Sequence, residues 1–224
     1  MYASKVATDG TNSYLYGWCA TKSGSSDAGS RDFGGNLIVH QLTQNSDGTL
    51  SVGMPKGADQ SFTQTQVLNT AIKQQNIGVD GNTVSFPTLN EESYLLFDRI
   101  TGEHMITATV SDIQAGAEFG FVLGMDKTLQ QSSYYKIRFS KANDQVTGMA
   151  VSNGTEHPDG VLPVSLEPGK EYKIKMVMEG SVCVVYINDQ VALTSRIYSM
   201  NNRFWGLFAR KGSVRFKDIS LKGL

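Results

Sequence analysis

The sequence predicts an all-β protein made of packed antiparallel sheets, on three observations. Short runs of alternating apolar and polar residues, bounded by Gly, Asn, Asp or Pro, recur from end to end. Helix-period patterns are almost absent. The runs number about eleven or twelve beyond residue 80, enough for two sheets packed face to face.

Taken in order, Ser13–Cys19 reads as the first strand and Asn36–Thr43 as the next, with Leu37, Val39 and Gln41 on one face and Ile38, His40 and Leu42 on the other. Asn45–Leu50 holds an Asp-Gly turn between strand residues, a hairpin in which Gly48 supplies the positive φ. Residues 54–76 are polar and Gln-rich, fit neither period, and read as a connection crossing between two units. Alternation resumes at 82–87, 93–98, 104–111, 118–125, 133–140, 145–152 and 171–178. Residues 158–168 hold three of the five prolines and read as a loop or edge element. Four closing strands follow within Glu179–Leu224: 179–189, 193–198, 205–208 and 214–221.

Composition removes several classes of function. Twenty basic and 21 acidic residues, evenly spread for a net charge of −1, leave no footprint for nucleic acid or an anionic membrane and permit neutral partners such as sugars. No stretch approaches the roughly 20 apolar residues of a membrane span, and the first residues carry no apolar signal core. Cys19 and Cys183 both sit in apolar strand-like runs and read as buried free thiols. The Asn153-Gly-Thr155 sequon reads as an Asn-Gly turn.

The closing run, Val182-Cys-Val-Val-Tyr-Ile-Asn-Asp189 followed by Leu193-Thr-Ser-Arg-Ile197, resembles the C-terminal module of glycoside hydrolase family 32, the β-fructosidases. Tyr16-Gly-Trp18, Asp32–His40, Asp47–Leu50 and Met54-Pro55 are similar to the last blade of that family's five-bladed propeller, with Phe33 standing where Trp is usual. The resemblance implies a few strands of an incomplete propeller blade over residues 1–57, then a lectin-like jelly-roll sandwich over 58–224. It also implies a propeller upstream in the parent chain, and a parent that is secreted, periplasmic or at the cell surface. A mainly structural or subunit-contact role follows, with no cofactor. Many members carry an acid where this chain has Val184, so no role of that acid transfers. An unpaired blade edge would favour a homodimer, or a hairpin rearranged over the sandwich.

Retaining glycoside hydrolysis needs two carboxyl groups about 5 Å apart. The family's Asn-Asp-Pro, Arg-Asp-Pro and Glu-Cys motifs are all absent here, so no catalytic residue is assigned. Asp32 follows Arg31 but precedes Phe33, and reads as a loop acid. Glu91-Glu92 reads as solvated surface. The three histidines, His40, His104 and His157, stand apart, and Glu156, His157 and Asp159 share one loop without metal-site spacing. No metal site is expected.

Sugar-binding surfaces pair exposed aromatic faces with planar polar side chains. In Ser133–Phe139, alternation places Tyr135, Ile137 and Phe139 towards the core and Tyr134, Lys136 and Arg138 on the opposite face. That trio is the candidate carbohydrate-binding patch, for fructan or another polysaccharide, against the plainer reading of a solvated face. Trp18, Trp205 and Phe208 are assigned to packing, with Arg196 and Tyr198 between the two roles.

Overall fold

In the computed structural model, which describes every residue except Gln75, Gln131 and Ser132, the chain opens with a four-stranded antiparallel meander. Its strands are β1 (Tyr2–Thr8), β2 (Ser13–Lys22), β3 (Arg31–Gln44) and β4 (Leu50–Gly53), side by side in that order. Four strands in a meander is the make-up of a propeller blade. The β3–β4 turn forms where the Asp-Gly pair predicts it: Gly48 takes φ 87°, and Asp47 Oδ1 accepts from the Thr49 amide at 2.9 Å.

Residues 54–76 do cross between units, but they also carry strands. After one helical turn at Lys56–Asp59, β5 (Gln64–Gln66) and β6 (Thr70–Lys73) each join an existing sheet. Strands of three and four residues show too little alternation to be read, and their backbone groups are satisfied by partners distant in sequence. The chain continues as β7 (Gly78–Asp80), β8 (Thr83–Phe86), β9 (Ser93–Ile100), β10 (His104–Ser111), β11 (Glu118–Met125), β12 (Ser133–Ser140), β13 (Gln145–Ser152) and β14 (Thr155–Pro163). It ends with β15 (Tyr172–Glu179), β16 (Val182–Ile187), β17 (Val191–Arg196), β18 (Arg203–Arg210) and β19 (Val214–Gly223). Sheet I has the order β17-β16-β15-β10-β19-β8-β7, with β5 also on β19; sheet II has the order β14-β13-β12-β11-β18-β9-β6. The sandwich therefore holds more strands than the eleven or twelve expected, the additions being β5, β6, β7 and β14. The first part of the proline-rich stretch, to residue 163, belongs to β14, an edge strand, where Pro158 and Pro163 interrupt no inner ladder, and Pro168 lies in the segment after it.

Alternation builds the main core. Phe119, Phe121, Tyr135, Ile137, Phe139, Trp205 and Leu207 point in from sheet II, and Ile106, Ile174, Met176, Val185, Phe216 and Leu221 from sheet I. Phe119 stacks on Phe139 at 5.3 Å, and Phe216 meets Phe119 edge-on at 6.0 Å. Each such ring contributes about 1.5–3 kcal/mol through burial. Both cysteines are free and buried.

A second core lies between the N-terminal sheet and the outer face of sheet I. Cys19, Ile38 and Met54 meet Met105, Val182, Val184 and Tyr186, with Phe62 of the connection closing the cluster. The N-terminal sheet thus lies on the back of the sandwich. The helix among the described residues is far too short to cross a membrane.

Candidate functional site

The three candidate residues do share the outer face of sheet II, but that face is not a solvated one. Lys136 is buried, Tyr134 half-buried, and the side chain of Arg138 only 17% exposed. Strand pairing explains why. Glu118 on β11, Arg210 on β18 and Glu156 on β14 are brought to the same face as Lys136 and Arg138, while Glu92 arrives from the loop before β9. Lys136 Nζ lies 2.6 Å from Glu92 and 3.1 Å from Glu156. Arg138 reaches Glu156 at 3.0 Å, and Glu118 receives Arg210 at 2.6 Å and Lys211 at 2.7 Å. The Lys136 ammonium also sits over the rings of Tyr134 and Phe208, at 5.6 and 5.3 Å. Glu92 is therefore an ion-pair partner with a mostly buried side chain, not the solvated surface acid its position suggests.

The electrostatics follow from these pairs. Burial alone would raise the Glu118 carboxyl, but hydrogen bonds from Lys211 and Arg210 hold it below its ordinary value. Glu156 is likewise lowered, against burial, by Lys136. Burial opposes the Lys136 charge, yet Glu92 raises its pKa. Tyr94, half-buried and donating to Glu92, is pushed well above the usual phenol range by desolvation and the neighbouring carboxylate. Arg138 Nε and Glu92 Oε2 are buried without a hydrogen-bond partner among the described residues.

The second polar assembly spans the seam beneath the N-terminal sheet. Arg196, on β17, donates to the carbonyls of Ala20 (3.1 Å) and Cys19 (2.5 Å), and to Asn36 Oδ1 (2.7 Å) and Ser181 Oγ (2.8 Å). Lys22, on β2, is buried and donates to the Asp27 carbonyl and to Asp159 Oδ2, both at 2.8 Å. Asp159 Oδ2 also accepts from Tyr135 at 2.9 Å. His40 and Tyr186 are hydrogen-bonded across the seam at 2.9 Å, and burial drives the His40 pKa down to about 4. Arg196 and Tyr198, left between roles by the sequence, are thus seam residues; Tyr198 accepts from the Lys22 amide.

Other expectations resolve individually. Trp205 and Phe208 are packed as expected, whereas Trp18 is half-buried and edge-on to Tyr2 at 5.4 Å. Glu156, His157 and Asp159 lie on β14 rather than in a loop, and the two acids serve different networks. His104 contacts Gln66 at 3.0 Å, far from the His40 pair. No cluster of three His, Cys, Asp or Glu able to hold a metal occurs among the described residues. Sequence reasoning missed Glu118 and Arg210, whose only signal was a charge at an outward position of a strand, and took Glu92, in the loop before β9, for surface.

Fold and seam together define a lectin-like β-sandwich module with a four-stranded sheet docked on its back. The family model described as GH32, BT1760-like, C-terminal domain matches residues 48–221. The chain belongs to that family. No curated protein matches the sequence significantly. Among solved structures, the carbohydrate-binding module CBM66 from Bacillus subtilis is similar over 72% of this chain and 99% of its own, at 14% identity and TM-score 0.58. Sucrose-6-phosphate hydrolase from Lactobacillus gasseri is similar over all of this chain and 41% of its own, at 16% identity and TM-score 0.61. A GH32 β-fructofuranosidase of Bombyx mori is similar over all of this chain and 40% of its own, at 12% identity and TM-score 0.57. The chain spans about two fifths of the length of these two enzymes. Their likeness includes the N-terminal sheet, most of which lies outside the match to the family model.

Proposed function

We propose that this chain is the non-catalytic C-terminal part of a family 32-type, fructan- or sucrose-degrading protein. Residues 1–57 are part of the last propeller blade with its connection, and residues 58–224 a sandwich whose work is structural. The observation that carries this reading is the seam: an apolar cluster capped by Arg196, whose guanidinium is spent on backbone and side-chain acceptors of the N-terminal sheet. The N-terminal sheet also leaves Leu37 at 69% exposure, an apolar point suited to the neighbouring blade of a parent propeller. The parent is placed outside the cytoplasm, in keeping with extracellular polysaccharides as substrates. On this reading the chain alone turns over neither sucrose, inulin nor levan. Arg196→Ala is expected to lower the melting temperature and free β1–β4 for proteolysis; a variant with unchanged stability and protection would refute the structural role.

A second reading, carbohydrate binding through Tyr134, Lys136 and Arg138, is favoured by one observation: Arg138 Nε and Glu92 Oε2, within the ion-paired groups of sheet II's outer face, have no hydrogen-bond partner among the described residues. A glycan array showing no binding, with no effect of Tyr134→Ala in titration, would eliminate it.

A further inference from the structure

A pocket of about 360 Å3 opens where the N-terminal sheet meets β14 and β17, within the roughly 300–1,000 Å3 of small-ligand sites. One side of it is aromatic and comes from the N-terminal sheet: Trp18, Tyr2 and Phe33. The other side is polar and comes mainly from the sandwich, with Asp159 and Arg196, while Arg31 reaches across from β3. Asp159 is held rigid, because Oδ2 takes both Lys22 Nζ and the Tyr135 hydroxyl. Oδ1 faces Arg31 at the long distance of 3.4 Å, which leaves accepting capacity directed at the pocket. The Arg31 side chain is 60% exposed and retains free donors.

This arrangement discriminates among ligand classes. An apolar ligand would leave unused the remaining capacity of Asp159 Oδ1 and of Arg31, which also donates to the Asp159 carbonyl, and an anion would meet both Asp159 and Asp32. A neutral ring with adjacent hydroxyls satisfies both sides: its hydroxyls donate to Asp159 Oδ1 and accept from Arg31, while its C–H face lies on the aromatic rings. We infer that the junction of the N-terminal sheet and the sandwich is a binding site for a neutral sugar ring, with Phe33 and Trp18 as its platform and the Asp159–Arg31 pair as its hydrogen-bonding groups. The site is distinct from the outer face of sheet II and rests on the docked seam, since Lys22 and Arg196 line it.

The test is calorimetric titration of the whole chain with a fructo-oligosaccharide and a xylo-oligosaccharide, with sodium glucuronate as the anionic control, alongside tryptophan emission. Trp18 is the responsive fluorophore, since Trp205 is buried in the core. Saturable binding of a neutral sugar with a change in emission is expected. Phe33→Ala and Arg31→Ala, both at exposed positions that leave the fold intact, are expected to weaken it by roughly fivefold or more. Absence of saturable binding by either neutral sugar, or preference for glucuronate, overturns the inference. Binding that survives both variants but is lost in Tyr134→Ala places the sugar on the outer face of sheet II and likewise overturns it. None of these results bears on the seam, which is read by stability.

Discussion

His40 couples the seam to pH. Its folded pKa of about 4 lies below the ordinary 6.5 because charging it would bury a cation between two sheets. Between those values the unfolded chain takes up a proton that the folded chain refuses, so stability is full above pH 6.5 and falls as pH drops towards 4. The loss amounts to about 3 kcal/mol. Urea unfolding midpoints measured from pH 7 to 4 should show this slope, and His40→Leu should flatten it. Lys136 poses the complementary case: Lys136→Met leaves the half-buried Glu92 and Glu156 without their shared cation, with Arg210 and Arg138 still beside them, a loss expected at about 2–3 kcal/mol. The double variant Lys136→Met/Glu156→Gln should recover part of it in the same unfolding assay. At this scale alternation correctly placed Tyr134, Lys136 and Arg138 on one face and Tyr135, Ile137 and Phe139 on the other. What it could not convey was that acids from β11, β14 and the loop before β9 converge on Lys136 and Arg138, because strand order is set by contacts distant in sequence.

The strands themselves divide by length. Those of eight residues, such as β10 to β13, show their bounds in the sequence because several periods of alternation repeat and turn residues stop them. The three- and four-residue strands β5, β6 and β7 complete the sheets without such a signature; only their pairing with β19, β9 and β8 makes them strands. Within β11, Gly120 holds φ 150°, and a Cβ there would lie 1.9 Å from the Ile137 carbonyl oxygen on β12. Close approach of two backbones in the middle of sheet II thus requires glycine. Gly120→Ala is expected to cost about 2 kcal/mol or more, through displacement of β12 and its charged face. Chemical denaturation measures that loss, and unchanged stability would show that the two strands can separate freely.

For the whole molecule, the seam decides whether 224 residues behave as one body or as two. Family resemblance indicated a sandwich following the end of a propeller, and it flagged Val184 as a departure from an acidic position. The geometry supplies a physical reason for valine: the side chain is buried against the N-terminal sheet among Cys19, Ile38 and Tyr186. The sequence could not reveal this, because Cys19 and Ile38, which cover Val184 from the N-terminal sheet, lie more than a hundred positions away. Val184→Asp places a carboxyl in that cluster and is expected to destabilise the chain by about 3 kcal/mol or more, read by thermal unfolding. The most direct test of the account is native-state hydrogen exchange of the unmodified chain. If the N-terminal sheet is an integral part of the fold, the amides of Gly17, Cys19, Ile38 and His40 will open with the same free energy as those of β10 and β11, in one cooperative unit. Exchange of β2 and β3 by a low-energy local opening, with the sandwich still fully protected, would contradict it.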